Sequence, residues 1–250
     1  MATSEASSAA FVSRPARLRL EQAFFPFMAL LIVAAVLLGF ARTFFLAPMY
    51  NYHLPNVLVA VHGVVFASWI ALFAIQTSLV AAGRVDLHKK LGYLGAILVG
   101  LVFVMAYAVM LEGLHRGFTI SEKDEAQILA LDVVGINFSF AMWVAGLLLR
   151  RNPASHKRLM LYGTIGMIGP AIARWPFATI ASNPPLVGIV LQSLGVAVIV
   201  LDLLTTRRVK RVTWVGTATL FLVPLIAIPM SAAPWWHHLL ASLRQLLVGV

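Results

Sequence analysis

No cysteine occurs anywhere in the chain. Disulfides, thiolate nucleophiles, thiolate-bound zinc and iron–sulfur clusters are therefore excluded. Charge is nearly as scarce. Only 11% of the 250 residues are Asp, Glu, Lys or Arg, whereas an ordinary soluble domain carries about 25%. Acid is the rarer sign, with 9 Asp and Glu against 19 Lys and Arg. Several enzyme signatures are missing too: no Gly-rich phosphate loop, no HExxH and no GxSxG.

What fills the space is hydrocarbon. Hydrophobic residues make up 61% of the chain. A helix needs roughly 20 apolar residues to cross a bilayer, and seven runs qualify, at about 22–41, 57–81, 91–111, 127–149, 158–180, 186–204 and 213–232. Strand-built barrels are excluded, because their segments are shorter and alternate in polarity.

The net charge of +10 does not point to nucleic acid, because the basic residues fall in alternate loops. Arg14, Arg17 and Arg19 precede the first run; Arg84, Lys89 and Lys90 lie between the second and third. Arg150, Arg151, Lys157 and Arg158 separate the fourth and fifth, and Arg207, Arg208, Lys210 and Arg211 the sixth and seventh. Acidic Glu112, Glu122, Asp124 and Glu125 sit in an opposite loop. This is the positive-inside pattern, and it predicts a multi-pass protein of a bacterial inner membrane, N-terminus in and C-terminus out. The basic loops are expected to meet anionic headgroups. A homo-oligomer or a membrane partner subunit is compatible with the apolar faces of the outer spans.

The expected fold is all-α: an integral membrane bundle of seven transmembrane helices. Residues 1–20 read as a disordered cytoplasmic N-terminus, 21–232 as one transmembrane domain, and 233–250 as an interfacial amphipathic tail. The first apolar run is too long for a cleaved leader and reads as a retained span. Asp86 and Ser155 are expected N-caps. Pro170 and Pro224 are expected kinks.

One internal repeat stands out. His88-Lys89-Lys90-Leu91-Gly92 recurs as His156-Lys157-Arg158-Leu159-Met160, and a glycine follows each histidine at the same spacing (Gly95, Gly163). Both copies open an apolar run on the same side. They read as two parallel helical-hairpin repeats, about 57–112 and 126–181, forming a central four-helix bundle about an axis along the membrane normal.

Two groups of residues are candidates for chemistry. The first is the inner pair His88 and His156, which the repeat places at equal depth on two helices. Opposed imidazoles can ligate haem iron, with Lys89, Lys157 and Arg158 near the propionates. The bland reading is that these are interfacial helix starts meeting headgroups. The second group is intramembrane: His62, Asp132 and Arg174, with Arg42 able to join or replace Arg174. Ionisable groups at such depth are costly and default to functional hypotheses. His62, Trp69 and Gln76 recur at i, i+7 and i+14, so they share one face of the second span. The bland reading here is a lock in which Asp132 pairs with Arg174. Gly163, Gly166 and Gly169 suit close helix packing, and Asp202 is expected to pair with Arg207 or Arg208.

The order His62-Gly63, Trp69, Gln76, Gly83-Arg84, His88-Lys89-Lys90-Leu91-Gly92, Asn152-Pro153 and His156-Lys157-Arg158-Leu159-Met160 resembles that of a set of uncharacterised bacterial multi-span membrane proteins. The likeness covers about residues 40–180 and implies no activity. More distantly, a histidine-bearing bundle of two hairpins is similar to cytochrome b561-type and haem A synthase-type bundles. Those hold haem b between histidines on paired helices, which implies haem b at His88 and His156. Three functions stay open at this point: a haem-associated redox protein, a transporter or small-molecule binder using the His/Asp/Arg group, and a structural or assembly factor.

Overall fold

A computed structural model describes residues 14–117, 122–181, 183 and 185–248; the N-terminal residues 1–13 lie outside the described part. Every regular element among the described residues is helical. Six helices are long and apolar enough to cross a membrane. They belong to α1 (Arg14–Phe40, continued by a π-helical turn Ala41–Phe45), α2 (Val57–Ala81), α3 (Val85–Arg116), α4 (Glu122–Leu148), α8 (Pro185–Thr206) and α9 (Arg211–Ser231). α1 starts at Arg14, inside the segment expected to be disordered.

The fifth apolar run behaves differently. It forms α5 (Pro153–Met167), breaks at Ile168, and resumes as the single turn α6 (Gly169–Ile172), with α7 (Ala178–Ala181) beyond. The break has a plain cause. Pro170 has no N–H to donate, and its ring collides with the carbonyl four residues back. Broken backbone is tolerated at membrane depth only where protein surrounds it, and α5 is surrounded. Leu159, Leu161, Tyr162, Thr164 and Ile165 are all buried. Pro224, by contrast, leaves α9 unbroken.

Local signals set the helix ends. Asn56 caps α2 by accepting from the Val59 N–H at 3.0 Å. α2 ends in a Schellman turn: Gly83 takes φ +75°, its N–H donates to the Val80 carbonyl, and the Arg84 N–H donates to Leu79. The α5 cap is Asn152, which accepts from the Ser155 N–H at 3.2 Å, and Pro153 occupies the first helical turn. Ser155 is thus the capped residue rather than the cap. Asp86 lies within the first turn of α3 and binds Arg84.

α2 packs along α3, and α4 along α5, so both expected hairpins are present as helix pairs. α9 lies against α4 and α5; α8 joins α9 to α1; α1 lies along α2. The amphipathic helix α10 (Pro234–Val248) folds back on α3, α4 and α9. Trp236 donates to the Ala126 carbonyl at 3.0 Å, and Arg244 meets Glu125 at 2.5 Å. Below it, Leu114, Leu129, Leu240 and Leu243 help to line an apolar cavity of about 240 Å³.

Large apolar side chains cover the outside: Val57 is 78% exposed and Leu225 68%. In hydrocarbon such exposure is free, and helix association gains little from hiding apolar surface. Close fit and polar contacts must then decide which helix sits where. Glycines supply the fit. A Cβ on Gly39 would lie 2.1 Å from the Ala171 carbonyl oxygen, and one on Gly216 2.2 Å from the Tyr162 ring.

Polar contacts supply the rest. Arg158 and Asp202 are both fully buried. The Arg158 guanidinium donates to Asp202 Oδ1 from Nη2 at 2.5 Å and from Nε at 3.2 Å, to Glu21 at 3.0 Å and to the Ala154 carbonyl at 2.9 Å. Asp202 Oδ2 accepts from the Thr213 hydroxyl at 2.6 Å and the Lys210 N–H at 3.0 Å. Lys157 pairs with Glu21 at 2.9 Å. The knot joins α1, α5, α8 and α9 at one end of the bundle. Breaking a buried pair from one side costs about 3–5 kcal/mol, whereas an apolar replacement of both partners is nearly neutral. Arg158→Met should therefore lower the thermal unfolding midpoint in detergent sharply, followed by tryptophan fluorescence. The double variant Arg158→Met/Asp202→Leu should recover most of the loss. Equal loss in both variants would show that the pair is not the determinant.

Candidate functional site

The two hairpins meet through pairs of large side chains. His88 and His156 lie at the end that carries the basic loops, with ring centroids 6.0 Å apart and planes at 76°. Deeper in, Trp69 meets Trp143 edge to face at 4.7 Å. Further along, Phe103 stacks on Phe140 at 4.1 Å, and Asn137 bonds the Tyr107 hydroxyl.

Local structure positions both histidines. The Schellman turn at Gly83 reverses the chain so that His88 falls in the first turns of α3. The Asn152 cap starts α5 so that His156 falls in its first turn. His156 Nδ1 lies 2.8 Å from the Gly146 carbonyl of α4. A carbonyl only accepts, so Nδ1 carries a proton and donates it. This is the orientation that holds a ligating imidazole in place. His88 lies beside the Gln76 backbone of α2, and its Nδ1 is buried without a partner. Bonds of about 2 Å from a metal to each of two opposed imidazoles put the ring centroids about 6 Å apart. The observed 6.0 Å is close to that spacing, and the His156 ring is held in its plane by the Gly146 carbonyl.

The expected propionate cations divide. Arg158 has no exposure, and its nitrogens are spent on Asp202, Glu21 and Ala154, so it has nothing to offer a cofactor. Lys157 is tied to Glu21 and sits over the Phe25 ring at 4.8 Å. Only Lys89 remains exposed, with Lys90 beside it. For Asp202 the expectation pointed at Arg207 or Arg208, whereas the fold supplies Arg158, Thr213 and Lys210. Sequence nearness misled here. The signal that was available is an aspartate inside an apolar run, which has to find a cation from another helix.

The intramembrane group comes together without a contact ion pair: Arg174 is near enough for its charge to act on both Asp132 and His62. Arg174 donates to the Pro170 carbonyl at 2.8 Å, lies over the Phe40 ring at 5.2 Å and is exposed. Asp132 is half-buried on α4, and no ion pair joins the two. The expected Asp132–Arg174 pairing is thus a charge proximity rather than a contact ion pair. Arg42 is likewise exposed, over Tyr50 at 5.6 Å. His62 packs on Phe66 with centroids 4.3 Å apart. Its neighbour Gly63 receives the Phe44 ring, which a Cβ would approach to 2.2 Å.

The α2 face is the more telling feature. Among the described residues, five buried side-chain atoms lack a partner: Thr43 Oγ1, His62 Nδ1, Trp69 Nε1, Gln76 Oε1 and His88 Nδ1. Three of the five residues are the i, i+7, i+14 stripe itself. An orphaned buried polar group costs about 1–3 kcal/mol, and native structures hold few of them.

No family model, curated protein or solved structure matches the chain. The geometry alone carries the functional reading.

The tryptophan layer rests on a glycine. A Cβ on Gly163 would lie 2.5 Å from Trp143 and 2.9 Å from the Ser139 carbonyl. Overpacking of this kind costs about 1–3 kcal/mol. Gly163→Ala should therefore destabilise the protein and shift the emission of its tryptophans. Gly92→Ala, which meets open space, should do neither. Matching behaviour of the two variants would show that the layer tolerates displacement.

Proposed function

We propose that this is a redox protein of a bacterial inner membrane that holds a b-type haem between His88 and His156. The observation that carries the reading is their ring spacing of 6.0 Å, with His156 anchored through Nδ1 to the Gly146 carbonyl. Lys89 and Lys90 replace Lys157 and Arg158 as the cations for the propionates. Counting α5 and α6 as one crossing gives seven, with the N-terminus in, the C-terminus out, and the histidine pair at the cytoplasmic end of two parallel hairpin repeats.

The bound group would supply one-electron chemistry; the chain supplies its setting. His156 is fixed in one tautomer by α4. The Trp69–Trp143 layer separates the histidine pair from the apolar middle of the bundle. The Arg158–Asp202 knot fixes the start of α5 two residues beyond His156, and so fixes the height of that ring.

Purified with haem precursor supplied, the protein should show a stoichiometric Soret band and sharpened α and β bands on dithionite reduction. His88→Ala and His156→Ala should each abolish the low-spin spectrum while leaving helical content unchanged. A colourless, folded wild-type protein, or an unaltered spectrum in both variants, overturns the assignment.

A further inference from the structure

We propose that the apolar cavity beneath α10 is a binding site for one acyl chain of a membrane phospholipid, with α10 as its lid. The inference rests on α3, α4 and α10 and not on the cofactor assignment.

The cavity has a regular wall on each side. From α3 come Tyr107, Met110, Leu111 and Leu114, spaced i, i+3, i+4 and i+7, which is one face of a helix. α10 opposes them with Trp236, Leu240 and Leu243, again one face, and Leu129 and Val133 of α4 lie between. Faces of this kind ordinarily interdigitate until few voids larger than a water molecule are left. Here they enclose about 240 Å³, and the surface open to the space is wholly apolar. An apolar cavity of about 150 Å³ already stays dry and takes up small hydrocarbons. This larger one calls for hydrocarbon rather than water. Its length suits a chain, because Tyr107 to Leu114 is about 10 Å along α3 at 1.5 Å per residue.

Polarity around the cavity orients the occupant. At the deep end Asn137 bonds the Tyr107 hydroxyl. At the other end stand two ion pairs, Glu112–Arg116 on α3 at 3.1 Å and Glu125–Arg244 between α4 and α10. An apolar shaft under a polar rim matches a lipid whose headgroup lies in the interface and whose chain runs along the helices. Both arginines already hold a carboxylate, so these pairs offer no surplus charge to an anionic headgroup. A headgroup without net charge fits, as in phosphatidylethanolamine.

The lid is fastened at both ends and not in the middle. The Trp236 N–H donates to the Ala126 carbonyl at 3.0 Å, and Arg244 meets Glu125. Between these points α10 bridges α3 and α4 without filling the space below. Amphipathic helices in the interface set their apolar face at the boundary of headgroups and acyl chains, which is where such a chain enters.

Buried positions separate a bound chain from the lipid that bathes the whole surface. Leu114 and Leu129 are 2% and 1% exposed, whereas Leu225 is 68% exposed. The full chain is placed in phosphatidylethanolamine and phosphatidylglycerol nanodiscs with a trace of phosphatidylethanolamine bearing a mid-chain diazirine, irradiated, and its adducts are mapped by mass spectrometry. Adducts are expected at Leu114 and Leu129 as well as at Leu225. Leu239→Trp puts a larger ring at the open edge of the cavity. It should cut the two buried adducts about five-fold by occupying the space and leave the Leu225 adduct unchanged. Adducts at Leu225 with none at Leu114 or Leu129 overturn the proposal, as do buried adducts unaltered in a folded Leu239→Trp protein. Buried adducts displaced by an added isoprenoid quinone but not by unlabelled phosphatidylethanolamine also overturn it, in favour of the quinone. Should the variant fail to fold, the adduct pattern of the native protein decides. None of these readouts depends on colour, so a failure here and a failure of the haem assignment are distinguishable.

Discussion

The Arg158–Asp202 pair is the constraint on which the remaining arrangement depends. Both groups are wholly out of solvent, at a depth where an unpaired charge is costly. Neither helix is able to move without stranding an ion. α5 and α8 are thereby set against each other, and Glu21, Lys210 and Thr213 bring α1 and α9 to the same point. Apolar burial does not hold these helices in this way, because lipid satisfies leucine as well as a neighbouring helix does. The knot also explains how a helix as short as α5 keeps its place although Pro170 cuts it off.

From that anchor the rest follows in layers. One turn above the knot, Tyr162 donates to the Gly195 carbonyl at 3.1 Å and bonds Thr217 at 2.7 Å, seated on Gly216. On the other face of α5, Gly163 and Gly166 let α4 approach, so that Trp143 reaches Trp69 and Ser139 fits against Gly166. Two residues before Arg158, His156 inherits a fixed position opposite His88. Stability and the candidate site are thus one construction. The guanidinium that sequence reasoning assigned to a cofactor instead holds the frame in which the two imidazoles face each other.

The polar stripe of α2 belongs to the same frame. Its atoms are kept from lipid by the hairpin partner α3 and by the aromatic layers across to α4. The stripe is unsatisfied by protein where the knot is over-satisfied. Residues that bond to one another carry the fold, whereas the stripe leaves buried polar atoms without a protein partner.

Much of this was legible in the chain. Hydrophobic length and low charge gave a helical membrane bundle, because period and hydrocarbon thickness are local properties. The His88 and His156 pentads, the α2 stripe and the break near Pro170 could also be read directly, since each depends on spacing along one helix. Partner choice could not. Asp202 prefers an arginine 44 positions away in sequence to its near neighbours, Arg174 bonds the Pro170 carbonyl rather than Asp132, and Trp143 rather than a polar group faces Trp69. Sequence alone determined which segments are helices and which faces are polar, because backbone hydrogen bonding and helical period act within a few residues. Only tertiary structure decided which buried charge meets which, because that outcome is set by how helices distant in sequence pack to leave no ion alone in hydrocarbon.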